Sequence, residues 1–143
     1  MKSRIITTTV LIAFVLGLSA AIQAQSAPEP LVQSLQVPFD FMAGGVSLPA
    51  GQYDVLQVGG PDLIMLRSND GRAIAMVQVI PLSTDPQHST DKLVFNKYGD
   101  KYFLSEVWTT KGAHVHQCLK SRTETALAKG KRTPEGTAIV AKR

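Results

Sequence analysis

Apolar positions along this chain come in runs of five to nine residues, most of them alternating with polar positions and separated by clusters of Gly, Pro, Asn and Asp. That rhythm is the signature of β-strands. From Leu35 to Met42, Val37, Phe39 and Phe41 fall on one face and Gln36, Pro38 and Asp40 on the other. Pro38 has no N–H to give to a ladder, so this strand is expected at a sheet edge or entering the sheet near the proline. Ser47 to Gly51 reads as a turn, with Pro49 presetting its φ, and Gln52 to Val58 as the next strand. Leu63 to Arg67 and Arg72 to Ile80 flank Asp70-Gly71, a strong hairpin signal because such turns need positive φ. In the second of these strands small Ala73, Ala75 and Val77 alternate with large Ile74, Met76 and Ile80. Both faces can then be covered, which predicts a central strand.

Residues 81 to 91 have no period and form the longest expected loop. Lys92 to Tyr98 and Lys101 to Thr109 predict a second hairpin around Gly99-Asp100. In its second strand Phe103, Ser105 and Val107 are expected on one face and Tyr102, Leu104, Glu106 and Trp108 on the other. His114 to Cys118 suits a short seventh strand. The period then changes. Ser121-x-x-Glu124 is a capping box, in which the Ser hydroxyl accepts from the Glu124 N–H and the carboxylate reaches back to the Ser121 N–H. A short helix follows, ended by Gly130 and seated through Leu119, Thr123 and Leu127. Ala138 to Ala141 suits a last edge strand. The expected fold is all-β: a small barrel or sandwich of six to eight mostly antiparallel strands with one short C-terminal helix.

Upstream of this pattern, Lys2 and Arg4 precede an apolar run, Ile5 to Ala21, and a small-residue patch, Ala21 to Ala27. This is the layout of a cleaved secretory signal peptide, with the cut expected after Ala24. The run is shorter than the ~20 apolar residues of a stable membrane span and is interrupted by Thr7-Thr8-Thr9. The reading therefore divides the chain into a signal at 1–24, a flexible leader at 25–34, a β domain at 35–130 and a basic tail at 131–143. It predicts export to the periplasm or beyond, with no stable span after cleavage.

The formal net charge of +4 includes Lys2 and Arg4. Without them the balance is nearly even, which with no aromatic stacking motif argues against nucleic acid. The remaining excess lies after residue 119, in Lys129-Gly-Lys-Arg132 and Lys142-Arg143, a tail able to touch anionic surfaces and simple enough to be a solubilising one. Cys118 is the single cysteine, so no intrachain disulfide exists and stability must come from the core.

Several segments together, Val37-Pro-Phe-Asp-Phe41, Leu48-Pro-Ala-Gly-Gln-Tyr53, Lys92-Leu-Val-Phe95, Tyr98-Gly-Asp-Lys-Tyr-Phe-Leu104, Val107-Trp108 and Ser121-x-x-Glu124, resemble a family of small secreted β-rich proteins typical of Acidobacteria. The resemblance covers roughly residues 35 to 128. It implies export and a β-rich domain, and it implies no activity. Family members usually carry Gly and Leu-Pro between the positions of Trp108 and Ser121, so the resemblance does not extend to the histidines found there.

Those histidines are the most site-like feature. His114, His116 and Cys118 alternate along one predicted strand, a ligand set suited to Zn²⁺ or copper, with His88 and Asp91 available to complete a shell. Same-face neighbours on one strand point in parallel, so the simpler reading is exposed histidines beside a buried cysteine. Trp108 and Tyr102, with His88 in the long loop, are candidates for a stacking surface that takes a small ligand or glycan. Asp40 and Asp54 are expected to face outward rather than form the carboxylate pair of a glycosidase. There is no Gly-x-Ser-x-Gly elbow, His-Glu-x-x-His, Cys-x-x-Cys or phosphate loop. The expectation is an exported non-enzymatic module without a cofactor, structural or protein-binding in the cell envelope. A ligand- or glycan-binding barrel and a metal protein are the alternatives, and the oligomeric state is left open.

Overall fold

The computed structural model describes residues 27–82, 90–130, 134 and 136–141. The expected signal peptide, His88 and tail residues 131–133, 135, 142 and 143 lie outside these. Ten strands form: β1 (Glu29–Val37), β2 (Phe41–Ala43), β3 (Val46–Leu48), β4 (Gly51–Gln57), β5 (Leu63–Ser68), β6 (Ile74–Leu82), β7 (Lys92–Tyr98), β8 (Lys101–Thr109), β9 (His114–Cys118) and β10 (Gly136–Ala141). One helix, α1 (Arg122–Gly130), lies between β9 and β10. The fold is all-β with a short C-terminal helix.

The strands join one mixed, curved sheet that does not close into a barrel. Its ladders run β1-β4-β5-β6-β9-β8, with β7 on the far edge of β8 and β10 beyond β7. Every pairing is antiparallel except β2 with β8, which meet at Met42 and Phe103. β9 occupies the Glu106–Thr109 half of the same edge of β8. Both expected hairpins are present, β5–β6 with Gly71 at φ 72° and β7–β8 with Gly99 at φ 65°.

Three expectations are corrected. Residues 29–34 are not leader but the first part of β1, pairing Glu29 with Gln57 and Pro30 with Leu56. The alternation there is hidden by a bulge: Ser34 takes a φ of 53° and gives its N–H to Asp54 Oδ1 at 2.9 Å, which brings both Val32 and Leu35 into the core. The expected single strand 35–42 is cut at Pro38, where the chain leaves β1 and enters β2. With the β2–β3 hairpin added, the count among the described residues rises from the expected six to eight strands to ten.

One apolar core lies against the inner side of the sheet. Val37, Phe41, Tyr53, Val55, Ile64, Leu66, Val77, Leu93, Phe95 and Val107 are all at most 2% exposed. Burial of each such side chain contributes about 1.5–3 kcal/mol, and the aromatic rings meet edge to face: Phe41 lies 5.3 Å from Tyr53 and 5.2 Å from Phe95. The turn between β2 and β3 is pressed onto β6. Gly44 has φ 57°, and a Cβ built there would overlap the carbonyl oxygen of Met76 and lie 3.1 Å from its carbon.

Candidate functional site

β9 carries the metal-ligand candidates. It pairs with β8 through Val107 and His116, and with β6 through Pro81 and His116. Cys118 is buried in the core, and burial, reinforced by Glu124 and Glu106, pushes its thiol up to about 12. At neutral pH it is a protonated thiol and therefore a poor nucleophile and ligand. His114 is exposed, with its imidazole lying over Gly112, where a Cβ would come within 2.8 Å of the ring. His116 is buried, and the two imidazole centres are 6.3 Å apart. Among the described residues no three His, Cys, Asp or Glu side chains are placed to hold a metal ion. Asp91 is engaged elsewhere, its Oδ1 accepting from the N–H and hydroxyl of Thr110 at 2.7 and 2.8 Å.

Among the described residues neither ring nitrogen of His116 has a hydrogen-bond partner. Burial, and secondarily His114, lowers its pKa below the ordinary 6.5. In the window between that depressed value and 6.5 the unfolded chain binds more protons than the folded one, so stability falls as pH is lowered through the window and is fully present above 6.5. Chemical denaturation of a His116→Leu variant across this range is expected to show a flatter pH profile than wild type. An unchanged slope would assign the pH dependence to another group.

The two aromatic candidates on β8 are not brought together. Val94 faces Glu106 while Phe95 faces Leu104, so Ser105 is an extra residue that bulges β8 and reverses the alternation. Leu104 and Val107 therefore both reach the core. Phe103 is buried outside it, its ring 5.6 Å from that of Tyr98. This corrects the expected faces of the strand. Tyr102 and Trp108 stand six residues apart, roughly 20 Å along the strand. Tyr102 stacks on Phe39 at 4.1 Å, with the Lys97 ammonium 5.6 Å from its ring centre. Trp108 has the Lys92 ammonium 3.8 Å over its ring and donates from Nε1 to Glu106 at 2.7 Å. Tyr102 does line an open cleft of about 280 Å³, with Phe41, Met42 and Phe103 as its apolar wall and Asp40, Asp100 and Lys101 as polar lining.

Asp40 and Asp54 serve the backbone and not each other. Asp40 accepts from the Ala50 N–H at 2.8 Å, and Asp54 holds the Ser34 bulge and lies 3.7 Å from Arg67. The capping box is half formed. Ser121 Oγ accepts from the Glu124 N–H at 3.2 Å, but the Glu124 carboxylate turns into the sheet, accepting from Asn96 Nδ2 at 3.0 Å and the Tyr98 hydroxyl at 3.4 Å. Glu124 is 3% exposed. The helix is seated by this buried carboxylate, with Leu127 and Ala128 half-buried along the same side, and not by Leu119 and Thr123, which are exposed.

The outward face of β6 was not foreseen. β6 is central, with Ala75, Val77 and Val79 inside, but its large outward side chains remain open: Ile74 49%, Met76 44%, Ile80 47% and Leu82 39% exposed. Half-buried Met65 and Leu63 of β5 pair with Met76 and Gln78, which widens the stripe to two strands, whereas Val115 of β9, paired with Leu82, is buried. Leu119, whose N–H donates to the Gln78 carbonyl, adds a further exposed apolar side chain, at 47%. The signal was the large residues at every second position from 74 to 82, broken only by Gln78. Comparisons with protein-family models, curated proteins and solved structures find no match to this chain.

Proposed function

We propose that this chain is an exported, non-catalytic β domain of the cell envelope that works by binding protein through the outward face of β6. The observation that carries the reading is the apolar stripe Ile74, Met76, Ile80 and Leu82, each left 39–49% exposed on a central strand whose Ala75, Val77 and Val79 are packed inside. Monomeric domains seldom leave a patch of this kind on a rigid sheet unless it meets a partner. The leader-like residues 1–24 and the resemblance to small secreted proteins support the location. Capture from envelope extract with the exported protein tests it. Specific capture of a protein that Ile80→Glu abolishes, with the variant's melting temperature unchanged, is the expected result. Capture insensitive to Ile80→Glu and Met76→Glu would remove this face from the function. A second reading, a small ligand or glycan in the cleft beside Tyr102, has that cleft in its favour and predicts instead that Tyr102→Ala abolishes binding.

A further inference from the structure

Gln78 sits at the midpoint of the stripe, with Ile74 and Met76 on one side and Ile80 and Leu82 on the other, and it is exposed. From this arrangement we propose that the partner on this face is a second copy of the same chain, packed sheet to sheet about a two-fold axis that crosses β6 at Gln78. The proposal rests on the docking reading above and names its occupant.

The stripe reads the same from either end in chemical terms: two apolar side chains, one amide, two apolar side chains. A two-fold axis in the interface, perpendicular to β6, sets Ile74 opposite Leu82 of the second copy and Met76 opposite its Ile80. An isologous interface requires self-complementarity of this kind. The amide selects the partner. Against a uniformly apolar surface the Gln78 side chain would lose water and leave its donor and acceptor unmatched. Opposite its own copy each amide finds one donor and one acceptor, across the ~10 Å that separates facing sheets. The flanks agree. Leu63 is paired with Gln78 on one edge and Leu119 bonds to its carbonyl on the other. Arg67, opposite Ile74 on β5, has Asp54 at 3.7 Å, so closure over it buries no uncompensated cation there.

Sedimentation velocity on the exported protein over a wide concentration range, with Gln78→Glu and Gln78→Lys variants, tests this. Wild type is expected to pass reversibly from monomer to dimer. Each variant alone sets like charges across the axis and is expected to weaken association about tenfold or more, while an equimolar mixture of the two restores it. Circular dichroism of both variants should match wild type, since position 78 is exposed. A wild-type chain that stays monomeric throughout overturns the proposal, as does a dimer that neither variant weakens or a mixture that fails to recover. A monomeric chain that still captures an envelope protein through Ile80 overturns the second copy alone and leaves the docking face standing.

Discussion

Replacing Gly44 by alanine is expected to cost this domain about 2–5 kcal/mol, a large share of the 5–15 kcal/mol that typical domains possess. Two effects add. A φ of 57° places any Cβ against the following carbonyl, at roughly 1–2 kcal/mol. The same Cβ would also overlap the Met76 carbonyl oxygen, which belongs to the backbone of a central strand and cannot swing aside. The β2–β3 turn must then lift from β6, with the strain of an overpacked contact, about 1–3 kcal/mol. Gly71→Ala separates the terms. Its φ of 72° imposes the same backbone strain, but nothing lies within 4 Å of the added carbon, so a loss near 1–2 kcal/mol is expected. Urea denaturation of both variants provides the check. Equal losses would mean that the turn does not bear on β6 as described.

Phe95→Ala is expected to lose about 3–5 kcal/mol by the same measurement. Phe95 is 0% exposed, and its ring meets Phe39 and Phe41, each at 5.2 Å and nearly perpendicular. Truncation leaves a cavity bounded on one side by the ring of Phe41, which strand pairing holds in place, so little collapse is available there to offset the lost contacts. A double-mutant cycle with Phe41→Ala should show coupling of about 0.5–1.5 kcal/mol, the worth of an edge-to-face pair beyond area. A single-variant loss under about 1 kcal/mol would place Phe95 outside the core.

Strand identity was legible in this chain because several strands keep a period of two over most of their length between clear turn signals. β5 alternates from end to end and β6 as far as Ile80, and the turns contain Asp70-Gly71 and Gly99-Asp100, so local chemistry and tertiary pairing agree there. Faces failed where a bulge inserts one residue. Ser34 and Ser105 are ordinary serines in sequence, and only pairing with β4 and β7 reveals that each resets the phase, carrying Val32 into the core and Phe103 out of it. The carboxylate of Glu124 was misread for a related reason. Its local option, the Ser121 N–H, competes with Asn96 and Tyr98, which lie 28 and 26 residues away in the chain and come near only once the sheet exists. The apolar stripe on β6 was visible as a pattern, yet small apolar residues on one face and large ones on the other do not say which face the fold leaves bare.

The unclosed seam has a mechanical consequence. β1 and β10, the first and last strands described, approach each other without a shared ladder, and both have their outer ends at one pole. Glu29 meets Lys111 there, and the Thr109 hydroxyl donates to the Leu31 carbonyl at 3.1 Å. Ala141 reaches the same pole through its pairing with Lys92, which itself faces Trp108. Tension applied between the two ends would peel β1 from β4 and β10 from β7 one residue pair at a time, instead of shearing a whole ladder at once. Such a domain yields at low force and gives up length gradually, like a zip drawn from its open end.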